Sequence, residues 1–207
     1  MAAGSGSDAI PDRVLTVPNA ISAARLVLIA IFLFQLLVLR ADGWAVATLM
    51  LSGASDWADG KLARVLGQSS RLGALLDPAI DRIYMAAVPI AFGLRDLVPW
   101  WIVAAVLGRD ALLAVTLPVL RGRGLTALPV TYIGKAGTFA LMSAFPLILL
   151  GGFDAQWSRV VLAFGWAFLI WGLGMYLWAL VLYLAQVTLV VRRLPKVARD
   201  AAGVADG

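Results

Sequence analysis

Apolar residues gather in six long stretches along this chain, separated by short polar or basic segments. A helix needs about 20 mostly apolar residues to cross the hydrocarbon core of a bilayer. By that yardstick the pattern predicts spans over about 19–39, 43–66, 72–94, 98–120, 131–151 and 158–191. The last stretch exceeds one span and is expected to leave the membrane as a helix. Residues 1–12 are small and polar, without the basic start and cleavage site of a signal peptide. The expected organisation is a flexible N-terminus over 1–12, one six-helix domain over 13–191 and a basic tail over 192–207. The fold class expected is all-α, a polytopic membrane protein with six transmembrane helices.

Charge orients the bundle. An even number of spans puts both termini on one side, and cytoplasmic loops carry the excess of Lys and Arg. The N-terminus, the 2–3 and 4–5 connections and the tail hold Arg13, Lys61, Arg64, Arg71, Arg121, Arg123, Arg192, Arg193, Lys196 and Arg199. The opposite side holds Arg40, Arg95 and Arg159. The termini and the cytoplasmic ends of helices 2 and 3 therefore share a face of what reads as a bacterial-type cell membrane. Trp44, Trp100, Trp101 and Trp157 lie near the opposite ends, where an aromatic belt sits.

Composition agrees and excludes a good deal. Of the 207 residues 62% are hydrophobic and 14% charged, against about 25% charged in ordinary soluble domains. There is no cysteine and no histidine. Disulfides, thiolate metal sites, thiol nucleophiles and phosphohistidine are excluded, so a general base must be a carboxylate, a lysine or a tyrosine. The net charge of +5 suits loops facing anionic lipid headgroups, and nucleic acid is not an expected partner.

Within this apolar background residues 56–81 read Asp56-x2-Asp59-Gly60-x2-Ala63-Arg64-x8-Gly73-x3-Asp77-x3-Asp81. A carboxylate at membrane depth costs at least about 2.5–3.5 kcal/mol, so four of them need compensation. Lys61, Arg64 and Arg71 are too few and too peripheral to supply it. Residues three or four apart share a helix face, which pairs Asp56 with Asp59 and Asp77 with Asp81. A turn over 67–71 would set the two helices antiparallel and bring both pairs to one pocket. Hard oxygen donors alone suit Mg²⁺, Mn²⁺ or Ca²⁺, and Mg²⁺ is commonly held by a few carboxylates together with substrate phosphates. Gly60, Ala63 and Gly73 leave room for a pyrophosphate, and Arg64 can take a phosphate in fork geometry. Taken singly, the small residues serve helix packing as readily, and a lone aspartate serves as a proton relay.

The eight positions together are more specific. They match the signature of the CDP-alcohol phosphotransferase family without a departure, and the chain is identified by it as resembling that family. The resemblance implies a membrane enzyme that displaces CMP from a CDP-activated lipid with an alcohol. It implies that Asp56, Asp59 and Asp77 hold two divalent ions, Mg²⁺ or Mn²⁺. It makes Asp81 the catalytic base toward the acceptor hydroxyl, lying close to a metal as well. Asn19, Gly60, Ala63, Arg64, Ser70 and Gly73 would contact CDP-diacylglycerol, and a homodimer is expected.

A narrower likeness covers roughly residues 14–140. Val17-Pro18-Asn19-Ala20-Ile21-Ser22-x2-Arg25 is similar to a stretch in bacterial phosphatidylglycerophosphate synthases and in the cardiolipin synthases of the same fold. Arg25 has a plain alternative as a chain snorkelling at a helix end. Arg109-Asp110 and Ile133-Gly134-Lys135 resemble motifs of that branch, and Arg109 and Lys135 are expected to bind the acceptor's phosphate. The Arg-Asp pair and Leu128-Pro129-x3-Ile133-x-Lys135-x2-Thr138 look slightly more like the cardiolipin synthases. Phosphatidylglycerol is therefore the expected acceptor and glycerol 3-phosphate the alternative. The rival class, an ion or proton-coupled carrier, predicts acids spread over several helices near the midplane, whereas these are bunched at one edge.

Overall fold

The computed structural model describes residues 17–66, 71–123 and 132–193, with side chains for 20–55, 79–123 and 132–193. Among these residues six α-helices follow one another: α1 (Val17–Leu33), α2 (Asp42–Leu66), α3 (Arg71–Leu94), α4 (Trp100–Arg121), α5 (Tyr132–Leu150) and α6 (Ser158–Arg193). There is no strand among the described residues. Four of the helices are long and apolar enough to cross a membrane: the α1 stretch Ala20–Leu39, α4, α5 and α6. The other two, α2 and α3, carry the aspartates and basic residues of the array, and those charges lower their apolarity. At 1.5 Å per residue, the 36-residue α6 is about 54 Å long, well past the roughly 30 Å hydrocarbon core.

The apolar pattern of each helix becomes a shared core. Phe32 of α1 stacks on Phe92 of α3 at 6.5 Å, and Phe92 meets Phe145 of α5 edge-on at 5.0 Å. Leu36, Val88, Val103, Val106, Leu141 and Leu169 fill the space around these rings. Fully burying one such side chain is worth about 1.5–3 kcal/mol in water. Between helices in lipid, close packing has to do more of the holding. The α5–α6 seam shows how: a Cβ added at Gly165 would sit 2.8 Å from the Ile148 backbone nitrogen. At Gly137 it would sit 2.9 Å from the backbone nitrogen of Tyr176. Only glycine lets these two backbones touch.

The end of the bundle away from the array is locked by polar contacts. After Leu33 the helix widens into a π-helical stretch over Phe34–Leu39, closed by Arg40 in the left-handed region at φ 51°. The Thr48 hydroxyl donates to Gln35 Oε1 at 2.8 Å, tying that stretch to α2. Arg95, just past α3, forks onto Asp42 at 2.9 and 3.2 Å and also donates to the Leu36 carbonyl. One guanidinium thus ties the π-helical stretch and α2 to the end of α3. Toward the array end a cavity opens beside Asp81.

Candidate active site

The array falls on two consecutive helices. Asp56, Asp59, Gly60, Ala63 and Arg64 lie in the last turns of α2, and Gly73, Asp77 and Asp81 in the first turns of α3. Helical backbone at both places keeps each aspartate pair on one helix face. The side chains of Asp56, Asp59, Gly60, Ala63, Arg64, Gly73 and Asp77 lie outside the described residues, as does that of Asn19 in the first turn of α1. Ser70 falls between α2 and α3, outside the described residues altogether. Asp81 is described: it is half-buried and lines a cavity of about 570 Å³.

Four helices build that cavity. Asp81, Arg82, Met85 and Ala86 come from α3, and Leu107, Arg109, Asp110, Ala111, Leu113, Ala114 and Leu117 from α4. Thr138 of α5 and Tyr176 and Tyr183 of α6 close it. Most of the wall on the α4 side is apolar. Its polar part is a compact cluster at mid-helix. Arg109 Nη1 donates to Asp110 Oδ1 at 2.9 Å, and the Tyr176 hydroxyl donates to the same oxygen at 2.7 Å. The Arg109 guanidinium carbon lies over the Tyr176 ring, 4.0 Å from its centroid. Arg109 Nε is buried and has no hydrogen-bond partner among the described residues. A buried donor left unpaired costs about 1–3 kcal/mol, more when charged.

The donor set of the array fits divalent cations. Carboxylates alone, spaced one turn apart in sequence on two consecutive helices, are the hard oxygen donors that such cations take. Asp81 joins that set to the cavity, because it belongs to the array by sequence and to the cavity wall by position.

The structure separates the two expected acceptor ligands. Arg109 is at the cavity, whereas Lys135 is exposed, 6.0 Å from the exposed Tyr132 ring, and is not among the residues lining the cavity. Thr138, one turn further along α5, lines it instead. Arg25 is 3% exposed, so it is not a snorkelling chain. Arg82, Tyr176 and Tyr183 are cavity residues that the sequence reading passed over. A signal existed: two of the chain's four tyrosines stand seven residues apart on α6, hence on one face.

Comparison with known proteins agrees with the array. The family model described as CDP-alcohol phosphatidyltransferase matches residues 15–191. A protein of Mycobacterium tuberculosis (strain ATCC 25618 / H37Rv) named "Putative cardiolipin synthase" is 64% identical over 186 residues, covering 90% of this chain and 89% of its own. The "Cardiolipin synthase (CMP-forming)" of Streptomyces coelicolor is 46% identical, covering 78% of this chain and 77% of its own. The "CDP-diacylglycerol--glycerol-3-phosphate 3-phosphatidyltransferase" of Bacillus subtilis is 31% identical, covering 64% and 76%.

Proposed function

The chain belongs to the CDP-alcohol phosphatidyltransferase family, and from that premise we propose that it transfers a phosphatidyl group from CDP-diacylglycerol to phosphatidylglycerol, releasing CMP and forming cardiolipin. The observation that carries this reading is the cavity beside Asp81. It joins the array, which suits a pyrophosphate, to a largely apolar α4 wall carrying Arg109, which suits a lipid acceptor with a phosphate. The names of the relatives at 64% and 46% identity point the same way. Glycerol 3-phosphate, the acceptor in the Bacillus subtilis name, is the alternative at a lower identity.

In this reading Asp56, Asp59, Asp77 and Asp81 hold two divalent cations, Mg²⁺ or Mn²⁺, which when bound supply the positive charge that a pyrophosphate leaving group needs. Gly60, Ala63 and Gly73 let the nucleotide lipid's pyrophosphate approach the two helices. Arg64, with Ser70 and Asn19, contacts the cytidine diphosphate moiety. Arg109 seats the acceptor's phosphate. Asp81 takes the proton of the acceptor's glycerol hydroxyl, whose oxygen bonds to the diacylglycerol-bearing phosphorus as the bridging bond to CMP breaks. The membrane placement follows the Lys/Arg bias: six spans, with both termini and the array at the cytoplasmic face. A homodimer is carried over from the family resemblance alone.

The test is direct. Purified protein in mixed micelles receives labelled CDP-diacylglycerol with phosphatidylglycerol, glycerol 3-phosphate or inositol phosphate in turn, and the lipid product is identified. Labelled cardiolipin with stoichiometric CMP is the expected result. Phosphatidylglycerophosphate in its place would transfer the assignment to the alternative acceptor.

A further inference from the structure

We propose that Tyr176 is a positioning residue for the acceptor, holding the Arg109 guanidinium where it receives the acceptor's phosphate; the role rests on the reading of the cavity as the acceptor site. Arg109 and Asp110 are neighbours in sequence, and side chains one residue apart on a helix diverge instead of facing each other. Their 2.9 Å ion pair therefore needs the long arginine chain to fold back across the helix surface. Tyr176 is what it folds onto. The ring lies under the guanidinium at 4.0 Å, and its hydroxyl donates to the Asp110 oxygen that Arg109 also uses. A single side chain thus touches both halves of the pair, from a helix 66 positions away in sequence.

Tyr176 is itself fixed. It is 2% exposed, and Gly137 lets the α5 backbone close on its main chain, since a Cβ there would come within 2.9 Å of the Tyr176 nitrogen. Asp110 takes Nη1, while Nε is buried with no partner among the described residues. A guanidinium presents its donors in a rigid planar fork that matches two oxygens of a phosphate. Rotating Arg109 off the ring would lose that aim without removing its charge. Tyr176 thus acts through Arg109, and its effect should be confined to the acceptor.

The experiment is a double-mutant cycle on the full-length protein, titrating phosphatidylglycerol at saturating CDP-diacylglycerol and then the reverse. Tyr176→Phe keeps the ring and removes the hydroxyl, so it should raise the apparent acceptor KM about 3- to 10-fold, leaving the CDP-diacylglycerol KM unmoved. In an Arg109→Ala background the same change should add nothing further, because residues acting as one unit are not additive. Asp110→Asn reads the same bond from its other end and should also make Tyr176→Phe nearly silent. An unchanged acceptor KM in Tyr176→Phe, or a full additional effect in the Arg109→Ala background, overturns the positioning role while the acceptor site stands. If Arg109→Ala instead raises only the CDP-diacylglycerol KM, the acceptor site itself is misplaced and the role of Tyr176 falls with it.

Discussion

Replacing Asp81 with asparagine keeps the side chain's size and removes the charge that would receive the acceptor's proton. General-base contributions run to about 10²–10⁴-fold; CMP release should fall by that order while equilibrium binding of CDP-diacylglycerol persists. Near wild-type turnover in Asp81→Asn would show that the base is another group. The two basic candidates for the acceptor should part company. Arg109→Ala should raise the acceptor KM about 10-fold or more, the worth of a charged hydrogen bond, whereas Lys135→Ala, exposed and off the cavity lining, should change it less. Equal losses in both would mean that the acceptor reaches beyond the cavity toward Tyr132. At this scale the sequence disclosed what is local. Asp56, Asp59, Asp77 and Asp81 were legible because helical spacing of three and four residues puts each pair on one face. Tyr176 was not, because its meaning lies in Asp110, 66 positions away, and a pattern along one helix does not say which helix it meets.

Each helix end falls within a few residues of where the apolar pattern places it, because the pattern measures the stretch that lipid or core can cover. What the pattern hid is how ends are tied. The π-helical stretch Phe34–Leu39 continues the same apolar run as α1, so hydropathy cannot tell them apart. Nor does it reveal that Arg95 binds Asp42 across 53 positions. With the two side chains 12% and 35% exposed, loss of this clamp in Asp42→Ala should cost about 1–3 kcal/mol, read as a lower midpoint of thermal unfolding in detergent. The α5–α6 seam gives a sharper contrast. Gly165→Val forces methyl groups into the Ile148 backbone, and overpacking of this kind costs about 1–3 kcal/mol. It should lower the unfolding midpoint while leaving the acceptor KM of the folded fraction alone. Gly137→Val presses on Tyr176 and should raise that KM as well; a normal KM in a folded Gly137→Val protein would uncouple the seam from the site.

For the molecule as a whole, chelation by EDTA should abolish CMP release and Mg²⁺ or Mn²⁺ should restore it; full activity in chelator would remove the metal reading of the array. Topology is open to an unusually clean measurement, because the chain has no cysteine of its own. A membrane-impermeant maleimide should label Gln156→Cys, in the α5–α6 connection, on intact cells, and Ser7→Cys only after permeabilisation. The reverse pattern would invert the bundle. Leu113 and Leu117 of α4 line the cavity beside Asp81, while Leu112 and Val115 of the same helix are exposed. With α4 crossing the bilayer, as its length and apolarity allow, one helix diameter, about 10–12 Å, would divide the cavity from acyl chains. Turnover should follow the thickness and stiffness of the host membrane at constant protein fold, and a short-chain micelle should slow the reaction as surely as a lost side chain.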